Sequence, residues 1–135
     1  MDCIFCKIIK GEIKAKTIKE STKSIAFLDA FPLAKGHALV IPKTHYAKLQ
    51  EMSIEDNADL FSLIHSLIPK VDELTGSSLI AIHNGKDAGQ EVPHVHVHLI
   101  PRHSQDSAGP VHSMFTNRPK ISSEEFDVIL SKLKD

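Results

Sequence analysis

The amino-acid sequence predicts an α+β domain on a mostly antiparallel sheet, and three observations carry that prediction. At 135 residues the chain has the length of one domain, residues 1–135, able to bury roughly two-thirds of its unfolded surface without staples. Hydrophobic residues at 41% and charged ones at 24% are ordinary globular usage, which excludes a disordered, collagen-like or low-complexity chain. Patterns of helical and strand period follow one another as helix, strands, helix, strands, helix, joined by short hairpin-type links.

The first element is a short helix over residues 3–10. Ile4, Phe5, Ile8 and Ile9 recur at one-, three- and four-residue spacings, Asp2 precedes them as an N-cap, and Gly11 stops the run. Residues 13–20 and 24–29 are β-branched or apolar with polar interruptions, which predicts a hairpin turning at Ser21-Thr22-Lys23. A loop over residues 31–36 leads to His37-Ala38-Leu39-Val40-Ile41, an apolar run ended by Pro42 and read as a buried strand. Ser53, with an acid three residues on, caps a long helix whose apolar positions are Leu60, Phe61, Ile64, Leu67, Ile68, Val71 and Leu74. Pro69 removes a backbone donor inside that helix and predicts a kink or a break. Residues 79–84 read as a strand, 85–90 as a glycine-containing loop, and 92–100 as a strand of period two. Residues 103–120, with Gly109-Pro110 and Arg118-Pro119, are loop-like. Ser122-Ser123-Glu124-Glu125 then caps a last helix carrying Phe126, Ile129, Leu130 and Leu133.

Charge narrows the function. Sixteen Lys and Arg against 17 Asp and Glu leave a formal charge of -1, so there is no basic field to hold a nucleic acid polymer or an anionic membrane. Any phosphate is bound locally. No run approaches the roughly 18 apolar residues of a membrane span, and the start Met1-Asp2-Cys3-Ile4-Phe5-Cys6 lacks the basic region of a secretion signal, so a cytoplasmic protein is expected. Cys3 and Cys6 would close too small a loop to staple a fold, which leaves packed thiols or metal ligation open. The unusual feature of the composition is histidine, nine residues in a chain without Trp and with one Tyr.

His94-Val95-His96-Val97-His98 places three imidazoles at i, i+2 and i+4, on one face of a strand whose other face is apolar. Ordinary solvated faces draw on Lys, Glu, Thr and Ser, whereas histidine brings titration and lone pairs. A three-histidine zinc is disfavoured, because i and i+4 stand about 13 Å apart along a strand, too far to share one ion. A row of imidazoles can instead hold one bare nitrogen against phosphorus while its neighbours supply protons to the leaving group.

Gly89-Gln90-Glu91-Val92-Pro93 followed by His94-Val95-His96-Val97-His98-Leu99-Ile100 closely resembles the signature of the histidine triad (HIT) family of nucleotide hydrolases and transferases. Cys3-Ile4-Phe5-Cys6-Lys7-Ile8-Ile9, Ala26-Phe27-Leu28-Asp29, Gly36 to His45, and Asn84 ahead of a glycine loop match the family in order and spacing, so the resemblance runs from residue 3 to about residue 102. The resemblance implies a HIT-like α+β fold: a mostly antiparallel five-stranded sheet with a long helix and short terminal helices, the sheet extended across a homodimer. It implies that His96 attacks the α-phosphate of a purine nucleotide to form a nucleotidyl-histidine that water resolves, with a backbone carbonyl near His94 fixing the tautomer of His96. His98 matches a proton donor near the leaving group and His37 the fourth histidine beside the row; His37 also reads as a hydrogen-bonded structural residue. Asn84 and Gln90 match phosphate-side positions, and Asp29 matches the carboxylate that accepts the ribose hydroxyls. Ile4, Phe5, Ile8, Phe27 and Leu28 match an apolar base pocket, although core packing gives the same pattern.

Glu91 stands where several branches carry Ser or Thr. A carboxylate there repels phosphate unless it points away or is protonated, so the hydroxyl role is not carried over. In the zinc-carrying Hint-like subgroup, Cys3, Cys6, His45 and His94 are the positions that hold a structural zinc, and no catalytic metal or organic cofactor is expected. His65, His83, His103 and His112 have no assigned role; His83 alternates toward the site or lies in solvent. The resemblance favours a nucleoside phosphoramidase releasing AMP. A dinucleoside polyphosphate hydrolase and a nucleotide-binding module with vestigial catalysis are the alternatives.

Overall fold

The computed structural model describes residues 2–106 and 118–134. The Gly109-Pro110 turn signal and His112 lie outside the described residues. Strands β1 (Thr17–Glu20), β2 (Ser24–Leu28), β3 (Ala38–Pro42), β4 (Ser77–Ile82) and β5 (Val97–Arg102) form one sheet in the order β1-β2-β3-β5-β4, with every neighbouring pair antiparallel. Helix α1 (Ile4–Ile9) precedes the sheet, α2 (Ile54–Thr75) links β3 to β4, and α3 (Ser123–Leu133) follows β5. The α+β architecture with five antiparallel strands is thus observed.

β3 explains how the layers meet. Its residues are all buried, and they divide with period two. Ala38 and Val40 join Ala26, Val97, Leu99 and the α2 residues Leu60, Leu63, Ile64, Leu67 and Val71 in one core. Leu39 and Ile41 join Cys3, Phe5, Ile25 and Phe27 in a second. One face of the sheet therefore packs on α2 and the other on α1. In β5, Val97 and Leu99 face α2, which turns His98 between them toward the opposite face.

Several local expectations change. Asp2 does not cap α1; Cys3 takes the N-cap position without a side-chain bond, and Asp2 pairs with Lys7 at 3.0 Å. β1 starts at Thr17 and is exposed throughout, so residues 13–16 lie outside the sheet. α2 opens as expected, with Asp56 N–H donating to Ser53 Oγ at 3.1 Å, but it runs unbroken through Pro69. Pro69 and His65, whose carbonyl loses its helical donor, both lie on the solvent-exposed side of the helix. Leu63 is buried, whereas Phe61 and Leu74 stay exposed. The strand expected over 92–100 begins only at Val97. Ahead of it, Val95 N–H donates to Tyr46 O at 2.7 Å and His94 N–H to Val92 O at 2.8 Å, which bends the chain out of the ladder. α3 forms with the Ser122–Glu125 capping box, yet Phe126, Ile129, Leu130 and Leu133 are all exposed.

Candidate active site and metal centre

Because residues 94–96 leave the ladder, the three histidines separate into two environments. His96 is buried, and its Nδ1–H donates to the carbonyl of His94 at 2.7 Å. A carbonyl only accepts, so Nδ1 carries the proton and Nε2 presents a lone pair. Burial, foremost, holds the His96 pKa below its usual value and keeps the imidazole neutral, although the bond to the His94 carbonyl pulls the other way. His98 lies on β5 with its ring centroid 5.1 Å from that of His96.

A second chain of bonds fixes His98. Leu33 N–H donates to His37 Nδ1 at 3.0 Å, so the proton of neutral His37 sits on Nε2. That nitrogen lies 3.0 Å from His98 Nδ1 and donates to it, which places the His98 proton on Nε2. Burial, then the neighbouring His96, His37 and His83 imidazoles, push the His98 pKa down to about 4. Burial also lowers the His37 pKa, against the pull of Asp29, whose Oδ2 is 3.6 Å from His37 Nε2. The two rings thus stay neutral near pH 7. Asp29, His37 and His98 bring possible metal-ligating atoms within 4.8 Å of one another, but Leu33 N–H and the inter-imidazole bond engage three of their four ring nitrogens.

Other site candidates fall unevenly. Asp29 Oδ1 accepts from Phe31 N–H at 2.9 Å, and its carboxylate stands beside His37. Gly85 and Gly89, at φ 113° and 97°, shape the loop between Asn84 and Gln90. Asn84 binds across to the 3₁₀ turn Leu49–Glu51, accepting from Leu49 N–H at 3.0 Å and donating to Gln50 Oε1 at 3.1 Å. Gln90 accepts from Gly85 N–H at 2.7 Å and donates to Ala47 O and Val92 O at 2.8 and 3.0 Å. Both of its N–H groups are engaged, so Gln90 braces the loop, and a direct bond from it to phosphate requires one of these to break. Of the apolar candidates, Phe5 and Phe27 are core residues in edge contact, with ring centroids 5.9 Å apart. Ile8 lies partly buried against them, and Ile4 and Leu28 are exposed. Phe5 also touches the His96 ring edge-on, with centroids 5.1 Å apart. Glu91 is exposed, and its charge acts on His96, opposing the effect of burial there. His83 joins the row through a 5.5 Å contact with His98; the alternation of β4 was the only sequence signal for it.

His94 turns instead toward α1. Its Nδ1 lies 3.5 Å from Cys3 Sγ, 3.7 Å from Cys6 Sγ and 3.2 Å from His45 Nδ1, and Cys6 Sγ is 3.3 Å from His45 Nδ1. Ligands of a tetrahedral zinc at 2.0–2.3 Å stand roughly 3.3–3.8 Å apart, so the four residues fit such an ion. His94 Nε2–H donates to Pro42 O at 2.9 Å, which leaves Nδ1 bare toward the cluster.

A row of tautomer-locked imidazoles on an antiparallel sheet, with a Cys₂His₂ cluster behind it, defines a histidine-triad type of protein. The chain belongs to the HIT family, since the HIT domain matches residues 10–105. Adenosine 5'-monophosphoramidase hnt1 of Schizosaccharomyces pombe is 45% identical over 108 residues, 78% of either chain. The crystal structure of a histidine triad nucleotide-binding protein from Candida albicans superposes with a TM-score of 0.81 at 35% identity, over 98% of this chain and 95% of that one. A zinc-bound histidine triad family protein from Mycobacterium smegmatis gives 0.70 at 34% identity, over 81% of each chain.

Proposed function

We propose that this chain is a nucleotide hydrolase that cleaves adenosine phosphoramidates at the α-phosphate and releases AMP. The observation that carries the reading is the opposed tautomers of the two neighbouring imidazoles, His96 with Nε2 bare and His98 with Nε2 protonated. His96 Nε2 attacks the α-phosphorus, the P–N bond to the amine breaks, and His98 Nε2–H gives its proton to the departing nitrogen. Water then attacks the same phosphorus, its proton passes to His98 Nε2, and the bond to His96 breaks to leave AMP. Asp29 takes the ribose hydroxyls, the loop backbone at Lys86 and Asp87 takes the phosphate, since the Gly85, Ala88 and Gly89 N–H groups are engaged within the loop, and Ile4 and Leu28 offer apolar surface to the base. His37 keeps His98 in the donating tautomer. The S. pombe relative, named for this activity, supports the choice of substrate.

The same reading includes a structural zinc held by Cys3, Cys6, His45 and His94. When bound, the ion supplies a crosslink between α1 and the sheet. Support comes from the spacing of the four donors and from the zinc-bound relative. A reducing, cytoplasmic setting keeps both thiols available, residues 1–135 act as one domain, and the active form is a homodimer.

The test is turnover of adenosine 5'-phosphoramidate, with an aminoacyl adenylate and a diadenosine polyphosphate in parallel. Wild-type protein should release AMP fastest from the phosphoramidate. His96→Ala should lower kcat by more than about a hundredfold while still binding AMP. Unchanged turnover in His96→Ala would remove the nucleophile assignment, and AMP binding by a wild-type protein inert toward all three substrates would favour a binding module.

A further inference from the structure

His83 takes no part in the reaction drawn above, yet it touches both halves of the site. It directly follows the end of β4, whose Ala81 is paired with His98. Its Nδ1–H donates to Ala88 O at 2.6 Å, in the middle of the Gly85–Gln90 loop. The same ring lies under Gly89, where an added Cβ would stand 3.0 Å from His83 Nδ1 and 3.4 Å from Cε1. The ring also meets His98 nearly perpendicularly, at 82° and 5.5 Å. The loop's remaining ties lie elsewhere. Ala88 and Gly89 donate back into the loop, to Gly85 O and Lys86 O, and Gln90 and Asn84 hold its two ends. Among the described residues, His83 alone hydrogen-bonds the tip of the loop from outside.

We propose that His83 is a positioning residue for phosphate recognition: it ties the tip of the Gly85–Gln90 loop to the His98 imidazole, so that loop backbone and proton donor meet the same phosphate group. The proposal rests on the hydrolase reading for its substrate, although its binding arm does not need turnover. Fixing a short loop before the ligand arrives removes an ordering penalty from binding. Losing the tie therefore weakens recognition of the phosphate and leaves recognition of the nucleoside alone.

The test compares His83→Phe, which keeps a ring without the donor, with His83→Asn, whose side-chain N–H occupies the place of Nδ1. Affinity for AMP and for adenosine is measured by NMR titration, beside kcat and KM for adenosine 5'-phosphoramidate. In His83→Phe, AMP affinity should fall by about three- to tenfold, the range for one lost hydrogen bond, with KM rising in step and adenosine affinity within about twofold of wild type. His83→Asn should restore AMP affinity. Gly89→Ala, which pushes the loop off the His83 ring, should reproduce the loss. Three results overturn the proposal: His83→Phe and Gly89→Ala binding AMP like wild type, His83→Phe losing adenosine as much as AMP, or His83→Asn as weak as His83→Phe. A wild type that binds AMP but never cleaves the phosphoramidate defeats the hydrolase reading instead, and leaves the comparison of AMP with adenosine standing.

Discussion

At the scale of single residues, the site depends on where two protons sit. His98 Nδ1 accepts from His37, and burial together with three nearby imidazoles disfavours its cation, so it titrates at about 4. A folded pKa below the unfolded value of about 6.5 means that the unfolded chain takes up the proton first as pH falls. The resulting stability is complete above about pH 6.5 and is lost progressively toward pH 4. Nitrogen-15 NMR across pH 8 to 4 should show His98 as the Nε2–H tautomer, uncharged until the lower end. Titration of His98 near 6.5, or an Nδ1–H tautomer, would contradict the relay from Leu33 through His37. The resemblance to the HIT family placed His37 beside the row and a backbone carbonyl near His94 against His96, whereas the Leu33 N–H that starts the relay had no signal in the sequence. The bracing role of Gln90 had none either, because the number of free N–H groups it keeps depends on where Ala47 O and Val92 O fall in space.

Among the elements, α1 is the one that its own sequence explains least. Six residues without a side-chain cap make a helix too short to hold in water by itself. Tertiary anchors hold it: Phe5 is set in the second core, and Cys3 and Cys6 face His45 and His94. If zinc joins those four residues, protein purified without added metal or chelator carries about one zinc per chain. Its removal should then lower Tm by about 5 °C or more and speed amide exchange over residues 4–9 ahead of the rest. Near-zero zinc, or exchange in α1 unaltered by chelation, counts against the metal centre. The Ser53 cap, a clean signal, formed where the sequence put it, and the apolar run read as a buried strand over His37–Ile41 formed one residue later, as Ala38–Pro42. β5 departed further, because period two in residues 92–96 marks alternating environments and not ladder bonds. Tyr46 O takes the Val95 N–H, and that bend separates His94 from His98.

For the molecule as a whole, the proposed homodimer has a testable surface. β4 is an edge strand of the sheet, and Ile80 on it is 43% exposed; Phe61 on the neighbouring helix α2 is 40% exposed. An edge strand that no other described residue pairs with on its outer side, carrying an apolar side chain, invites strand pairing, and a closed two-fold dimer satisfies it without leading to an open chain of copies. β4 pairing with β4 of a partner would continue the sheet while the α2 helices pack together. No pattern in one chain could reveal this directly, since β4 reads the same whether its outer edge meets water or another strand. Sedimentation velocity at micromolar concentration should give twice the chain mass for wild type. Ile80→Arg, which places a charge on the paired edge, should give the single-chain mass with its circular dichroism preserved. A wild-type monomer would remove the homodimer from the proposal. A dimer indifferent to Ile80→Arg would shift the interface to another apolar face, with Phe126, Ile129, Leu130 and Leu133 of α3 the next surface to mutate.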